Sequence, residues 1–173
     1  TTVTVAPPSG PSFTNVNKQN VTCNGLCNGS AVMVIAGGSA PISYTISPNA
    51  PCVPVQAVAG NFTGLGANTY TVVATDANGC TAATTFVITQ PPALTINSFN
   101  TTDPACNGNS NGTASIIVSG GTGAAYNYQI NPAAPGAGGN FTGLTGGNGA
   151  IVVLAGILIT CPMVKAVSTG MLL

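Results

Sequence analysis

Charge is nearly absent from this sequence. Its 173 residues include two Lys and two Asp but no Arg, Glu or His, whereas a typical soluble domain carries about 25% charged residues. Nucleic acids and anionic lipids are bound through clusters of Lys and Arg, so neither is an expected partner. The formal net charge is zero, which removes the repulsion between copies of the chain and favours their association.

The residues needed for catalysis or for holding a metal are also missing. A Ser-His-Asp triad lacks its His, and a carboxylate pair would have to bring together Asp76 and Asp103, which lie far apart in the sequence. Cys23 and Cys27 have no second Cys pair or His to complete a zinc site, and calcium needs clustered carboxylates. We therefore predict no catalytic residue, no metal and no cofactor, and expect Asp76 to accept backbone hydrogen bonds in a turn.

No apolar run is long enough to span a membrane as a helix. The longest, from Ala150 to Val164, has about 15 residues, and a spanning helix needs about 20. This run is predicted to form buried strands. Because no initiating Met or signal peptide is visible, the chain is expected to be a mature product or an excised segment.

Turn-forming and β-branched residues are abundant. The chain contains 23 Gly and 13 Pro, which punctuate short runs rich in Val, Ile and Thr. In Thr69–Thr89 two such runs flank Asp76-Ala77-Asn78-Gly79, and Asn-Gly between runs of this kind is a strong hairpin signal. This pattern predicts an all-β protein with many short strands.

A tandem repeat of about 80 residues organises the chain. Val21–Gly38 recurs as Asp103–Gly121, and the sequence GNFTGL occurs at Gly60–Leu65 and again at Gly139–Leu144, whereas Cys52–Ala59 has no full equivalent in the second copy. Turn signals every 8 to 12 residues indicate β-sandwiches, so we predict two tandem immunoglobulin-like modules. Predicted strands in the first copy lie near Phe13–Val16, Ser30–Ala36, Ile42–Ile46, Val53–Val58, Thr69–Thr75 and Thr81–Thr89.

The repeat sets the expected domain boundaries. Thr2–Pro8 resembles Phe86–Pro92, so residues 1–8 correspond to the end of a preceding repeat, residues 9–90 form repeat one, and residues 91–173 form repeat two. The stretch 149–173 departs from the first copy. The chain is then either a window from a longer array or a subunit with a spare strand. The candidate strand for assembly with a neighbour comprises Thr2, Val3, Thr4 and Val5.

Several motifs recur in an order and at a spacing that resemble the SprB repeat family, the tandem modules of surface adhesins from gliding bacteria. They are Cys23-Asn24-Gly25, Asn28-Gly29-Ser30, Gly37-Gly38, Pro41 with Tyr44, Phe62 with Leu65, Tyr70, Asp76-Ala77-Asn78-Gly79-Cys80 and Ile88-Thr89-Gln90-Pro91. The likeness covers nearly all of copy one and the first half of copy two. It implies an extracellular, immunoglobulin-like repeat without catalytic residues.

The six cysteines are expected to form disulfides in an oxidising compartment. Cys23 and Cys80 recur as Cys106 and Cys161, which predicts one bond in each copy, Cys23–Cys80 and Cys106–Cys161. Cys27 and Cys52 are both missing from copy two, which predicts a third bond between them.

Two surface interpretations depend on recurring Asn and aromatic residues. Six Asn-x-Ser/Thr sequons are candidate glycosylation sites, although Asn-rich turns explain them better: Asn20, Asn28, Asn61, Asn100, Asn111 and Asn140. The aromatic residues could stack on sugars, but the in-register Phe62 and Phe141 favour a core role: Tyr44, Tyr70, Tyr126, Tyr128, Phe62 and Phe141.

Two functions are consistent with the sequence. The favoured one is a structural subunit of an extracellular filament or adhesin, with copies of itself as partners and donated terminal strands as joints. The alternative is a module that binds carbohydrate or another surface, with surface polysaccharide as partner and Cys52–Ala59 as the candidate binding loop.

Overall fold

The fold is taken from a computed structural model of the chain, which describes residues 9–121, 126–131, 138–144, 149–155 and 164–169. All regular secondary structure in these ranges is β-strand, and every paired strand is antiparallel. The all-β prediction is therefore confirmed. The chain divides into two compact units, Thr1–Gln90 and Pro91–Leu173.

The described residues of the first unit form seven strands in two sheets. They are β1 (Ser12–Gln19), β2 (Gly29–Ala36), β3 (Ser43–Ser47), β4 (Val55–Val58), β5 (Asn61–Leu65), β6 (Asn68–Thr75) and β7 (Thr81–Ile88). One sheet has the order β1-β2-β5-β4 and the other has the order β3-β6-β7.

The core of the first unit lies between these two sheets and is formed by every second side chain of their strands. In β2, Ala31 and Met33 point inward, whereas Val32 and Val34 are exposed. In the facing sheet, every second residue of β6 is buried in the same way, beginning with Tyr70. One cluster joins residues of both sheets, so the unit is sandwich-like; its immunoglobulin-like topology stays a prediction.

The second unit repeats this plan in its described residues. Its strands are β8 (Thr95–Thr102), β9 (Gly112–Ser119), β10 (Tyr126–Asn131), β11 (Asn140–Leu144), β12 (Gly149–Ala155) and β13 (Val164–Thr169). The sheets have the orders β8-β9-β11 and β10-β12-β13. The buried cluster of this unit joins Tyr128 of β10 to Ile116 of β9 and Phe141 of β11.

The predicted hairpin at Asp76–Gly79 is present, with a longer loop than a two-residue turn. Thr75 and Thr81 are the last paired residues, so five residues form the connection. The N–H of Gly79 donates to the carbonyl of Asp76 at 3.0 Å, and Gly79 has a φ of 83°. A turn followed by a left-handed Gly is a common way to join strands through a loop of this length.

Candidate functional site: the two ends of the first unit

The chain enters the first unit against a pair of glycines. We call Ser9–Gly10 and the turn at Gly37-Gly38 the incoming end. The N–H of Gly38 donates to the carbonyl of Ser9 at 3.0 Å, and a Cβ added at Gly37 would lie 2.7 Å from the carbonyl oxygen of Gly10. Glycine is required here because a larger residue would collide with the backbone of the incoming chain.

The second unit receives its chain in the same way. The N–H of Gly121 donates to the carbonyl of Pro92 at 2.9 Å, and a Cβ added at Gly120 would overlap the carbonyl oxygen of Ala93. These residues follow their counterparts in the first unit by 83 positions. The Gly-Gly pairs of the sequence repeat therefore contact the backbone of the incoming chain in both units, a role that the sequence pattern alone does not reveal.

Asp76 ties the β6–β7 hairpin to the incoming end. Its two carboxylate oxygens accept hydrogen bonds from the N–H groups of Ser39, Asn78 and Cys80, at 2.8–3.0 Å. The prediction that Asp76 accepts backbone hydrogen bonds in its turn is confirmed. The N–H of Ser39 is the largest of the causes that hold the pKa of this carboxyl below its ordinary value; burial opposes them.

The chain leaves the first unit at the opposite end of β7. We call Thr89–Gln90, with the turn that follows Cys23, the outgoing end. The N–H of Thr89 donates to the side-chain oxygen of Asn20 at 3.0 Å, and the N–H of Gly25 donates to the side-chain oxygen of Gln90 at 2.8 Å. These hydrogen bonds attach the last residues of the first unit to the segment that follows β1.

The Cys27–Cys52 disulfide is present, with a Cα–Cα distance of 5.7 Å. It attaches the loop before β4 to the turn at the outgoing end. Cys52 is buried and packs against Gly66, where an added Cβ would lie 2.5 Å from the Cys52 sulfur.

The predicted Cys23–Cys80 bond is wrong. Cys80 is a free, half-buried thiol, whereas Cys23 is buried and disulfide-bonded. Cys80 precedes the first residue of β7, and Cys23 belongs to the turn that contacts Gln90, after its last residue. Eight residues of strand separate these two ends by about 25 Å, and a disulfide requires Cα atoms within about 7 Å.

The predicted Cys106–Cys161 bond is also absent, because Cys106 is a free, exposed thiol. Cys161 itself lies outside the described residues. The four residues of the candidate donor strand, Thr2, Val3, Thr4 and Val5, lie outside them too.

The sheet edges of the first unit differ in how they are protected. Strands β1 and β7 lie next to each other at the edges of the two sheets, and Lys18 of β1 donates from Nζ to the carbonyl of Val87 in β7 at 2.7 Å. Such a Lys blocks the addition of another strand. On the other side, β4 is an edge strand with Val55 and Val58 55% and 65% exposed.

Four of the six sequon asparagines have side-chain hydrogen bonds, and that of Asn140 is a donation to the carbonyl of Gly138 at 3.4 Å. Asn28 closes its loop by accepting from the N–H of Thr22 at 3.1 Å, and Asn111 closes the equivalent loop by accepting from the N–H of Ala105 at 3.1 Å. Asn20 accepts from Thr89 as described above. Glycosylation at any of the six stays a prediction.

The aromatic residues belong to the cores. Phe62 and Phe141 are 1% and 6% exposed, which confirms the core role predicted for them. Tyr70 and Tyr128 are buried, and Tyr44 and Tyr126 are half-buried against the same clusters. Burial, with a smaller effect of Tyr126, raises the pKa of Tyr128. Among the described residues no cluster of three or more potential metal ligands occurs.

The fold and these two ends define an all-β segment of tandem, sandwich-like repeats. Two parts of the chain, residues 15–51 and 98–135, match the SprB repeat. These two parts are similar to the SprB repeat, and they cover less than half of the length of the chain. No curated protein matches the chain.

The SprB repeat belongs to cell-surface adhesins, so the two matched parts of the chain suggest a repeat segment of this kind. The described residues contain no helix that is long and apolar enough to cross a membrane.

Proposed function

We propose that the chain is a structural segment of an extracellular surface filament or adhesin stalk, built from repeats joined in series. The observation that supports this function is the placement of the chain ends in the first unit. The incoming end lies beside the hairpin that precedes β7, and the outgoing end lies after β7. Each module of this kind adds about 25 Å of length along the array.

The same placement explains why charge and large ligand-binding loops are dispensable. A repeat that provides reach needs a stable core and fixed ends, and the first unit has both in its buried cluster and in the hydrogen bonds at its two ends. With a formal net charge of zero, copies of the chain approach one another without repulsion.

We further propose that copies join by strand donation, with Thr2–Val5 of one copy added to the β4 edge of another. The donor has four residues, which matches the length of β4. β4 presents exposed Val side chains and has no Lys, whereas the β1–β7 side is protected by Lys18. Donation to an open edge of another copy is a head-to-tail contact that does not have to close into a ring.

Negative-stain electron microscopy of the native, non-reduced protein at neutral pH tests the filament function. We expect regular filaments whose axial repeat matches one or two modules. Isolated particles with no order between them would contradict the filament function as a whole.

Two variants test strand donation separately. Deletion of residues 1–8 should abolish filaments, and Val3→Pro should do the same because proline cannot donate to a β-ladder. Ala6→Pro is the matched control, since it precedes Pro7 and lies outside the donor strand. Filaments that persist without residues 1–8 would refute donation while leaving the filament itself intact.

Polysaccharide binding has less support. The candidate binding loop, Cys52–Ala59, contains Val, Pro and Ala with a single Gln besides its Cys, and it has none of the aromatic or charged groups that fix a sugar in place. Its exposed Val53, Val55 and Val58 suit an apolar contact instead. Retention on a glycan array that is lost when this loop is shortened would reverse this choice.

A further inference from the structure

We propose that successive copies of the chain are joined by a disulfide between Cys106 of one copy and Cys80 of the next. The proposal rests on the proposed serial array, not on strand donation to β4, and adds a covalent bond where the second unit of one copy meets the first unit of the next. It is carried by the positions of the two free thiols relative to the ends of their units, and by the bonded state of Cys23.

Cys80 lies where a preceding module must end. A Cβ added at Gly10 of the incoming chain would be 3.3 Å from the Cβ of Cys80, so the chain enters in contact with this residue. The residues before it, Thr2–Pro8, match Phe86–Pro92 in sequence. A neighbour that occupies the incoming end therefore presents its own outgoing end beside Cys80.

Cys106 occupies in the second unit the position that Cys23 occupies in the first, in the turn at the outgoing end. It follows Cys23 by 83 residues, and the two turns have the same hydrogen bond, from Leu26 N–H to the Cys23 carbonyl at 3.3 Å and from Asn109 N–H to the Cys106 carbonyl at 3.1 Å. The two cysteines thus occupy equivalent backbone positions in their units.

Cys23 and Cys106 occupy equivalent positions but differ in exposure and in disulfide bonding. Cys23 is 2% exposed and disulfide-bonded, whereas Cys106 is exposed and free. The position that forms a disulfide in the first repeat therefore holds a thiol that is available for a disulfide in the second. Cys80 is the second free thiol among the described residues, and it has the complementary location at the incoming end.

Chain length permits this bond between modules and forbids it within one. Within the first unit, β7 separates the two kinds of position by about 25 Å. Between repeats, Gln90 is followed by Pro91 and Pro92 before Ala93, the counterpart of Gly10. Three residues span about 10 Å at most, which limits the distance between Gln90 and Ala93 along the chain.

The reaction joins two thiols and requires an oxidant. The sulfurs of Cys106 and Cys80 form one S–S bond, and their two protons and two electrons pass to a small-molecule disulfide, whose S–S bond breaks to give two thiols. The exchange proceeds through a mixed disulfide, whose sulfur on the protein is attacked by the second thiolate. An extracellular location supplies the oxidising conditions in which such a bond persists.

Complementary thiol variants of the full chain test the pairing. Cys80→Ser keeps the free thiol of Cys106, and Cys106→Ser keeps the free thiol of Cys80. With oxidised glutathione and no reductant, we expect a ladder of oligomers from the unsubstituted protein on a non-reducing gel. Each variant alone should lose the ladder and remain monomeric, whereas an equal mixture of the two should give a dimer and nothing larger.

Peptide mapping should then find Cys80 linked to Cys106. A single variant that dimerises as fast as the mixture would overturn the proposal, because unselective oxidation joins like thiols equally well. It would also be overturned if the mixture stayed monomeric while both thiols reacted with a maleimide. Filaments that form without this crosslink would refute the disulfide alone, whereas isolated particles would refute the filament function.

Discussion

The carboxylate of Asp76 and the backbone N–H of Ser39 are hydrogen-bonded at 3.0 Å, across 37 positions of sequence. This bond joins the β6–β7 hairpin to the turn that receives the incoming chain. The N–H of Ala77 donates in turn to the carbonyl of Ser39 at 2.9 Å, so two loops that are distant in sequence form one rigid end.

The Asp76 carboxylate should make stability depend on pH in the acid range. Its pKa in the folded protein lies below the ordinary value of 3.8, chiefly because of the Ser39 N–H. A lowered folded-state pKa contributes stability that is complete above 3.8 and is lost as the pH falls through the folded-state value. We expect urea-unfolding midpoints to be level near neutral pH and to decrease as the pH falls below 3.8 towards the folded-state pKa.

Substituting Asp76 with Asn should weaken the protein at neutral pH and flatten this acid dependence. The amide can still accept from Asn78 and Cys80 through one oxygen, but its NH₂ group faces the Ser39 N–H and cannot accept from it. The exposed Asp103 provides the matched control, and Asp103→Asn should leave the neutral-pH midpoint unchanged. An unaltered acid transition in Asp76→Asn would mean that other groups govern it.

The contact between Gly37 and the incoming chain can be separated from backbone strain. Gly37 and Gly25 have similar φ values of 69° and 78°, so Ala at either position should cost about 1 kcal/mol for the left-handed conformation. Gly25 has nothing within 4 Å of an added Cβ, whereas Gly37 faces the Gly10 carbonyl. Gly37→Ala should therefore cost about 1–3 kcal/mol more than Gly25→Ala in chemical unfolding. Equal losses would show that the incoming chain is not held in this slot.

The Cys27–Cys52 bond should stabilise the first unit by restricting its unfolded state. The two residues are 25 apart in sequence, and closure of a loop of this size is worth about 3.5 kcal/mol in the chain-entropy model. Replacing both by Ala should lower the unfolding free energy by about that amount. Val53→Ala, at a 71% exposed position in the same loop, is the control that should leave stability unchanged. If the double variant were as stable as the parent, the disulfide would not restrict the unfolded chain.

Local sequence patterns predicted the parts of the fold that depend on alternation and turn chemistry. β2, β6 and β7 coincide with their predicted positions to within one residue, because Val, Ile and Thr alternate between core and solvent there. β5 was missed: it has five residues and contains Gly64 at a φ of 72°. Glycine in a short run gives no strand signal, and β5 forms because Phe62 and Leu65 fit the core.

The pairing of cysteines could not be derived from recurrence alone. Cys23 and Cys80 recur together in the sequence, which predicts a bond within the module. Recurrence, however, does not indicate how far apart the two residues lie in space. Cys80 and Cys23 lie at opposite ends of β7, and the length of that strand separates them. Recurrence describes the joint between modules equally well, which is why the same sequence signal supports a bond from one copy to the next.

Gly66 and Cys52 should show a strong energetic coupling. An added Cβ at Gly66 would lie 2.5 Å from the Cys52 sulfur, and the disulfide to Cys27 prevents that sulfur from moving away. Gly66→Ala should therefore cost about 1–3 kcal/mol in the parent protein. In the variant with Ala at both Cys27 and Cys52, the nearest side-chain atom would be the Cβ at position 52, at 3.4 Å, an ordinary van der Waals distance.

The penalty of Gly66→Ala should accordingly shrink in that background, with a coupling of about 1–2 kcal/mol in a double-mutant cycle. The hydrogen bonds between Gly66 and the hydroxyl of Tyr70, at 3.1 and 3.2 Å, are the same in both backgrounds and cancel in the cycle. Additive losses would mean that the backbone at Gly66 yields before the sulfur does. The cost would then belong to the Tyr70 hydrogen bonds, and the disulfide would not constrain the core beneath it.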